Sequence, residues 1–399
     1  MAKLPPSVAR LRIAVRDALA DLPAGSLALA ACSGGPDSLA LADTLAFCAP
    51  RMGLRGGLVT VDHGLQDGSH ERAAEVVAWA RSAGLEPALS IAVEVGAAGG
   101  PEAAARTARY AALDEAAQHH GASAILLGHT RDDQAETVLL ALARGGGPRG
   151  VAGMRATRGV YRRPLLGIAR ADTHAACDER GLKPWTDPHN SDPRFLRSAL
   201  RPAMDVLVAT LGEDVVANLA QTAALVGADT DYLDDVAGGA LEACRAEEGA
   251  AADAAVDSKV DGEVDDAGGR ERRGSPADAL SGGAAGIRTM VDAAVTEGRA
   301  TADGGKALSA GALDAKRVAA LAGPVRQRVL RAWVLEAGVE GAELNHRHLD
   351  AVDALVAHWH GQGPTFLPGG IEVRRSGGRL TAQPGDGSAG SGGARAPQA

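Results

Sequence analysis

Apolar positions along the first 150 residues follow two alternating rhythms. Short, almost continuous apolar runs, SLALAAC (26–32), GGLVTVDH (56–63), LEPALSIAV (85–93) and ASAILLGH (122–129), alternate with longer stretches whose apolar residues recur at helical spacing. The longer stretches include PDSLALADTLAFC after the first run, SHERAAEVVAWARSAG (69–84), PEAAARTARYAALDEAAQHHG (101–121) and DDQAETVLLALARG after the fourth. The stretch at 101–121 opens on Pro and closes on Gly, as a helix does. Apolar strands that are each followed by a helix predict an α/β domain, a doubly wound parallel sheet covered on both faces. Ligands of such sheets bind at the carboxyl ends of the strands. That rule gathers SGGPDS, VDHG and GHTRDDQ into one expected site before any motif is considered.

Beyond residue 150 the rhythm changes. VYRRPLLGI leads into a helix-like ARADTHAACDERG and a loop, KPWTDPHNSDP; helices are then expected from 194 to about 244. Residues 246–306 are Ala, Gly, Asp and Glu without lasting periodicity, the composition of a flexible acidic insertion. Order is expected again in helices PVRQRVLRAWVLEAG and HRHLDAVDALVAHWHG, then in short strands around TFLPGGIEVRR and GRLTAQ. The division this suggests is an α/β domain over 1–215, a smaller, mainly helical domain over 216–382 broken by the insertion, and a disordered tail over 383–399.

Composition agrees with a globular chain, at 46% hydrophobic and 23% charged residues. No apolar run is long enough to span a bilayer, and the N-terminus lacks a secretory pattern. Cys32, Cys48, Cys177 and Cys244 form no CxxC, which fits a reduced, cytoplasmic protein without a disulfide framework. The net charge of −9 hides an uneven distribution. Residues 144–201 hold twelve basic and five acidic side chains, whereas 246–279 hold four and ten. A basic working surface is thereby masked in the sum.

The chemistry starts at SGGPDS. Ser33, Gly34, Gly35, Pro36, Asp37 and Ser38 follow a strand and open a helix, where two glycines admit an anion and helix N–H groups and hydroxyls hold its oxygens. An ordinary strand–turn–helix corner, with Asp37 as a helix-start residue, accounts equally well for the spacing alone. The lysine-bearing phosphate loop is absent, and a carboxylate stands in the cradle instead. Asp62 and His63 end the second strand, and Gly128 and His129 the fourth. Asp132, Asp133 and Glu136 stand at i,i+3 and i,i+4 spacing and crowd one helix face, suited either to Mg²⁺ or an ammonium group, or to a solvated acidic helix start. Glu102, Arg106, Arg109 and Tyr110 form one helical stripe. GGGPRG (145–150) matches a dinucleotide fingerprint in letters, but it follows a helix; a flexible loop carrying Arg144 and Arg149 suits it better. Arg163, Arg194, Arg197 and Arg201 continue a basic character suited to phosphate contacts.

Ser-Gly-Gly-x-Asp-Ser resembles the PP-loop of the N-type ATP pyrophosphatases. VDHGLQ (61–66), PEAAARTARY (101–110), GHTRDDQAETVLLALARGGGPRGVAGM (128–154), RRPLL (162–166) and DPHNSDPRFLRSALR (187–201), in that order, resemble the tRNA(Ile)-lysidine synthase family. Ser198 and Ala199 depart from the family pattern, which has Asn and often Arg there. The resemblance implies ATP with Mg²⁺ as cofactors, and free L-lysine and isoleucine tRNA with a CAU anticodon as partners. It also implies attack of the wobble cytidine C2 oxygen on ATP, then displacement of AMP by lysine, changing decoding from AUG to AUA. Asp37, Asp132, Asp133 and Glu136 are then the expected catalytic residues, with Asp37, Asp132 and Asp133 as metal residues. The turn 33–38 with Asp62, His63, Gly128 and His129 is expected to take the nucleotide. Glu102, Arg106, Arg109, Tyr110, Arg144, Arg149, Arg163, Arg194, Arg197 and Arg201 are expected near tRNA or substrate. The rival functions are another PP-loop tRNA-modifying enzyme, such as a thiolase, which would need cluster ligands, and a non-catalytic ATP sensor.

Overall fold

The structure is a computed structural model that describes residues 4–64, 68–94, 96, 101–185, 196–246, 310–341 and 343–385, with the side chains of 101, 102 and 196–199 left outside. The expected insertion and tail fall largely outside the described residues. The chain separates into two compact units, Met1–Thr230 and Asp231–Ala399.

The first unit is an α/β domain. Helix α1 (Pro6–Ala18) precedes β1 (Leu27–Ala31), α2 (Pro36–Arg51), β2 (Arg55–Asp62), α3 (Ser69–Ser82), β3 (Ala88–Ala92), α4 (Pro101–His120), β4 (Ala122–Leu127) and α5 (Arg131–Ala143). A short helix α6 (Pro148–Val151), a two-residue hairpin of β5 (Thr157–Arg158) and β6 (Tyr161–Arg162), and helices α7 (Arg170–Arg180) and α8 (Leu196–Leu211) follow. Six strands lie in the order β3-β2-β1-β4-β6-β5, parallel except for the edge strand β5. The order reverses at β1: β2 pairs on one side (Ala31↔Val59) and β4 on the other (Ala31↔Leu127). A crevice at the carboxyl ends of β1 and β4 is therefore the topological switch point where this architecture receives ligands.

The apolar strands divide their side chains between two faces, as the pleat requires. Ala28, Ala30 and Leu126 join one core cluster with Leu11, Leu41 and Cys177, whereas Leu27, Leu29, Ile125 and Leu127 join the other with Leu113 of α4. Burial on both faces explains why these strands read as unbroken apolar runs. Gly57 permits close packing within the sheet, since a Cβ there would lie 2.7 Å from both Leu29 Cδ2 and the Pro87 carbonyl oxygen.

In the second unit, helices Gly323–Glu336 and His346–Ala357 accompany a four-stranded antiparallel sheet made from Leu313–Asp314, Thr365–Leu367, Ile371–Ser376 and Arg379–Pro384. Their core surrounds Trp333, fully buried, whose indole N–H donates to the Gly311 carbonyl at 2.8 Å. Among the described residues no helix is long and apolar enough to cross a membrane.

Candidate active site

The turn between β1 and α2 is built for close approach. Gly34 has φ +83°, where an L side chain would be strained. Pro36 takes the first helical position after Gly35, where a missing N–H costs nothing. Ser38 Oγ accepts from the Ser33 N–H at 3.2 Å and donates to the Gly35 carbonyl at 3.0 Å, which folds the turn on itself. Opposite, at the end of β4, a Cβ on Gly128 would lie 3.1 Å from both Cα and N of Ser38. The two switch-point loops therefore meet backbone to backbone. Trp185 N–H donates to the Gly34 carbonyl at 2.9 Å and anchors the chain leaving α7 to the turn.

Asp37 points from the first turn of α2 to α7, where its Oδ1 accepts from the Thr173 hydroxyl and its Oδ2 lies 3.8 Å from Arg170 Nε. Burial, and then neighbouring Asp133, hold the Asp37 pKa above the usual carboxylate range, against the Thr173 hydrogen bond and Arg170. Helix α5 carries the other carboxylates. Its capping box uses Thr130, whose N–H and hydroxyl donate to Asp133 Oδ2 at 2.7 and 2.8 Å. Asp133 Oδ1 accepts from Arg170 Nη2 at 2.8 Å, and Glu136 Oε1 accepts from the same nitrogen at 3.2 Å. The Arg170 backbone N–H donates to Asp132 Oδ2 at 2.8 Å. Burial pushes the Asp133 pKa up, but Arg170 and the Thr130 hydrogen bonds outweigh it and leave it below the ordinary value. Burial keeps Glu136 raised. Glu136 is only 2% exposed; Arg201 Nε lies 3.6 Å from Oε1, and Oε2 is buried without a hydrogen-bond partner among the described residues.

Asp37, Asp132, Asp133, Glu136 and Arg201 are thus brought together, although they come from three helices. Asp62 accepts the Gly64 N–H at 3.0 Å, which lowers its pKa; burial, with Arg109 next, lowers that of His63. Gly128 and His129 lie at the end of β4 beside the turn. Arg106, Tyr110 and Arg163 line a second region, a cavity of about 610 Å³ shared with Asp114, Arg158 and Tyr161. There the Arg106 and Arg109 guanidinium carbons stand 5.2 and 5.6 Å from the Tyr110 ring centroid. Arg163 is buried, donating to the Arg155 carbonyl at 2.9 Å and the Tyr110 hydroxyl at 3.3 Å. Arg144 and Arg149 are exposed, but only Arg144, at the end of α5, borders a loop; Arg149 lies in α6, so the expected flexible loop is in part a helical turn opened by Pro148. Arg194 and the side chains of Glu102 and Arg197 lie outside the described residues.

The structure adds Arg170, Thr173, Thr130 and Gln134, none singled out by motif. Buried Gln134 receives the Met154 N–H at 2.8 Å and donates to its carbonyl at 3.1 Å, pinning the 145–154 loop to α5. The sequence did hold a signal for Arg170. A cation on the first residue of a helix opposes the helix dipole, and such a local conflict usually marks a functional position.

As a ligand set for magnesium, Asp37 fits: it is a hard oxygen donor in the turn, and magnesium commonly takes one or two carboxylates plus phosphate oxygens and water. Asp132 and Asp133 already bind Arg170, and Asp133 also binds the capping box. Among the described residues, no group of three or more His, Cys, Asp or Glu is arranged to hold a metal ion.

Residues 9–206 match the family described as a PP-loop domain, and residues 313–381 match the TilS substrate binding domain. The chain is 48% identical over 388 residues to the tRNA(Ile)-lysidine synthase of Salinispora tropica, covering 96% of this chain and 98% of that one. Identity is 45% over 377 residues to the enzyme of that name from Thermobifida fusca, with 94% and 97% covered. For that from Streptomyces coelicolor it is 43% over 410 residues, with 95% and 99% covered.

Proposed function

This chain belongs to the tRNA(Ile)-lysidine synthase family, and from that premise we propose how its own residues carry the reaction. It is an ATP-dependent ligase, tRNA(Ile)-lysidine synthetase, whose substrates are isoleucine tRNA, lysine and ATP. In the proposed first step the cytidine C2 oxygen attacks the α-phosphorus of ATP, forming a C2–O–P linkage and releasing pyrophosphate. The turn 33–38 holds the phosphates through N–H groups and hydroxyls, and the Gly128–His129 end of β4 closes the other side. Bound at Asp37, magnesium would neutralise phosphate charge and orient the leaving pyrophosphate.

In the second step the lysine ε-amine attacks C2 and AMP departs with the former C2 oxygen. The Asp133–Glu136 face receives the ammonium form, and Glu136, with its pKa raised by burial, takes the proton that makes the amine a nucleophile. The new C2–N bond turns a carbonyl acceptor into a cationic donor, so the base pairs with adenine in place of guanine, and AUA is decoded in place of AUG. Arg106, Arg109, Tyr110, Arg144, Arg149 and Arg201 supply cations and an aromatic face toward the tRNA anticodon loop.

The observation that carries this reading is the placement of three carboxylates from α5 against Asp37 at the β1/β4 switch point, bridged by Arg170. The test is transfer of labelled lysine to an isoleucine tRNA transcript bearing CAU, with pyrophosphate measured in parallel, for the wild type and Asp37→Ala. Transfer by the wild type alone supports the assignment. Equal transfer by a folded Asp37→Ala protein removes Asp37 from the reaction.

A further inference from the structure

Arg170 is the first residue of α7, and its guanidinium meets carboxylates from two other helices. Nη2 donates to Asp133 Oδ1 at 2.8 Å and Glu136 Oε1 at 3.2 Å, while Nε lies 3.8 Å from Asp37 Oδ2. Its own backbone N–H is taken by Asp132. Every one of these contacts is long-range in sequence; the Asp132 carboxylate caps the first N–H of α7, but the guanidinium contacts add nothing to that helix's own hydrogen bonding. A cation at a helix start is also disfavoured by the dipole. The arrangement serves the carboxylates, which without a shared cation would repel one another.

Glu136 shows what the arrangement leaves open. Its Oε1 faces both Arg170 and Arg201, at 3.2 and 3.6 Å, whereas Oε2 is buried with no hydrogen-bond partner among the described residues. An ionised carboxylate oxygen left bare in the interior carries the full cost of its lost hydration. A donor therefore belongs beside it.

We propose that Arg170 is a positioning residue for lysine: it anchors Glu136 through Oε1 and so presents Oε2 as a preformed acceptor for the lysine ammonium. This rests on the reading that the α5 carboxylates receive lysine. It adds that their geometry is set by Arg170, a side chain of another helix. The Arg fork matters as well as its charge, because one nitrogen reaches two carboxylates while another approaches a third.

The test uses the full-length chain with Arg170→Ala and Arg170→Lys, compared by the tRNA-dependent pyrophosphate burst without lysine and by the lysine KM. A lost charge-assisted contact of about 1.5–3 kcal/mol corresponds to about a 10- to 100-fold rise in lysine KM. The expected result is that rise in Arg170→Ala, a smaller one in Arg170→Lys, a loss of burst at least threefold smaller than the loss of lysine use, and partial recovery of the alanine variant by added guanidinium. An unchanged lysine KM, or equal loss of burst and lysine use without rescue, overturns the proposal. If Arg170→Ala does not fold, Arg170→Lys with a wild-type melting temperature decides in the same way. Glu136→Gln separates the two layers. If it raises lysine KM while Arg170→Ala does not, the carboxylate reading stands and the role of Arg170 falls; if neither moves lysine KM, the carboxylate reading falls too.

Discussion

Gly128→Ala is the most direct probe of how the nucleotide crevice is built. The added Cβ would lie 3.1 Å from the Ser38 Cα and N and 3.2 Å from the Asp37 carbonyl carbon. All three atoms are backbone, in the first turn of α2, so no side chain can rotate out of the way. Gly128 does not have a positive φ, so the penalty is steric and not conformational. Ordinary contact needs 3.4 Å or more, and α2 must move by a few tenths of an ångström against a close-packed core. Overpacking of this kind costs about 1–3 kcal/mol. For a unit of this size that corresponds to a fall in Tm of about 2–4 °C per kcal/mol. The same displacement moves the Ser33–Ser38 cradle relative to β4, so ATP should weaken by about tenfold, equivalent to ~1.4 kcal/mol. Differential scanning calorimetry with and without ATP, together with the ATP KM, reads both effects. Gly147→Ala, where a Cβ meets nothing within 4 Å, is the control and should change neither. A Gly128→Ala enzyme with wild-type Tm and ATP KM would show that the two loops do not form one rigid crevice.

Three further outcomes follow from single contacts. Gln134→Leu leaves the Met154 N–H and carbonyl without their partners, and urea unfolding should show a loss of about 2–4 kcal/mol with earlier proteolysis in the 145–154 loop. Asp133 has a depressed pKa in the folded state, so its contribution is full above the ordinary aspartate value of about 3.9 and is lost as pH falls through the folded value. Unfolding midpoints across pH 2–6 should therefore show a shallower acid limb in Asp133→Asn than in wild type; parallel limbs would remove Asp133 from the acid transition. In the second unit, Asp314 caps a short helix by accepting the Lys316 and Arg317 N–H groups at 2.8 and 3.0 Å. Asp314→Ala should cost about 1 kcal/mol in urea unfolding without altering the ATP KM.

Much of the local architecture was legible because its causes lie within a few residues of each other. The apolar runs at 26–32 and 122–129 appear as β1 and β4, and the helix after SGGPDS begins at Pro36 as its chemistry requires. The spacing of Asp133 and Glu136 implied one face, and one Arg170 nitrogen touches both. The stripe of Arg106, Arg109 and Tyr110 also clusters, its cations ranged about the ring. Arg163 was legible as basic but not as buried, since its partners Tyr110 and Arg155 reach it only through the fold.

The sequence by itself determined the strand and helix rhythm, the glycine turn and the family to which the motifs point. Those features depend on backbone preference and on the period of neighbouring side chains. Tertiary structure alone decided the strand order that puts β4 beside β1, and with it the place where Gly128 meets Ser38. It also decided that Thr173 and Arg170 complete the surroundings of Asp37, the Thr173 hydroxyl reaching it across 136 positions of chain. No periodicity encodes such a pair. It exists because two helices pack on one face of the sheet, and packing free energy depends on the whole core while propensity depends on a few neighbours.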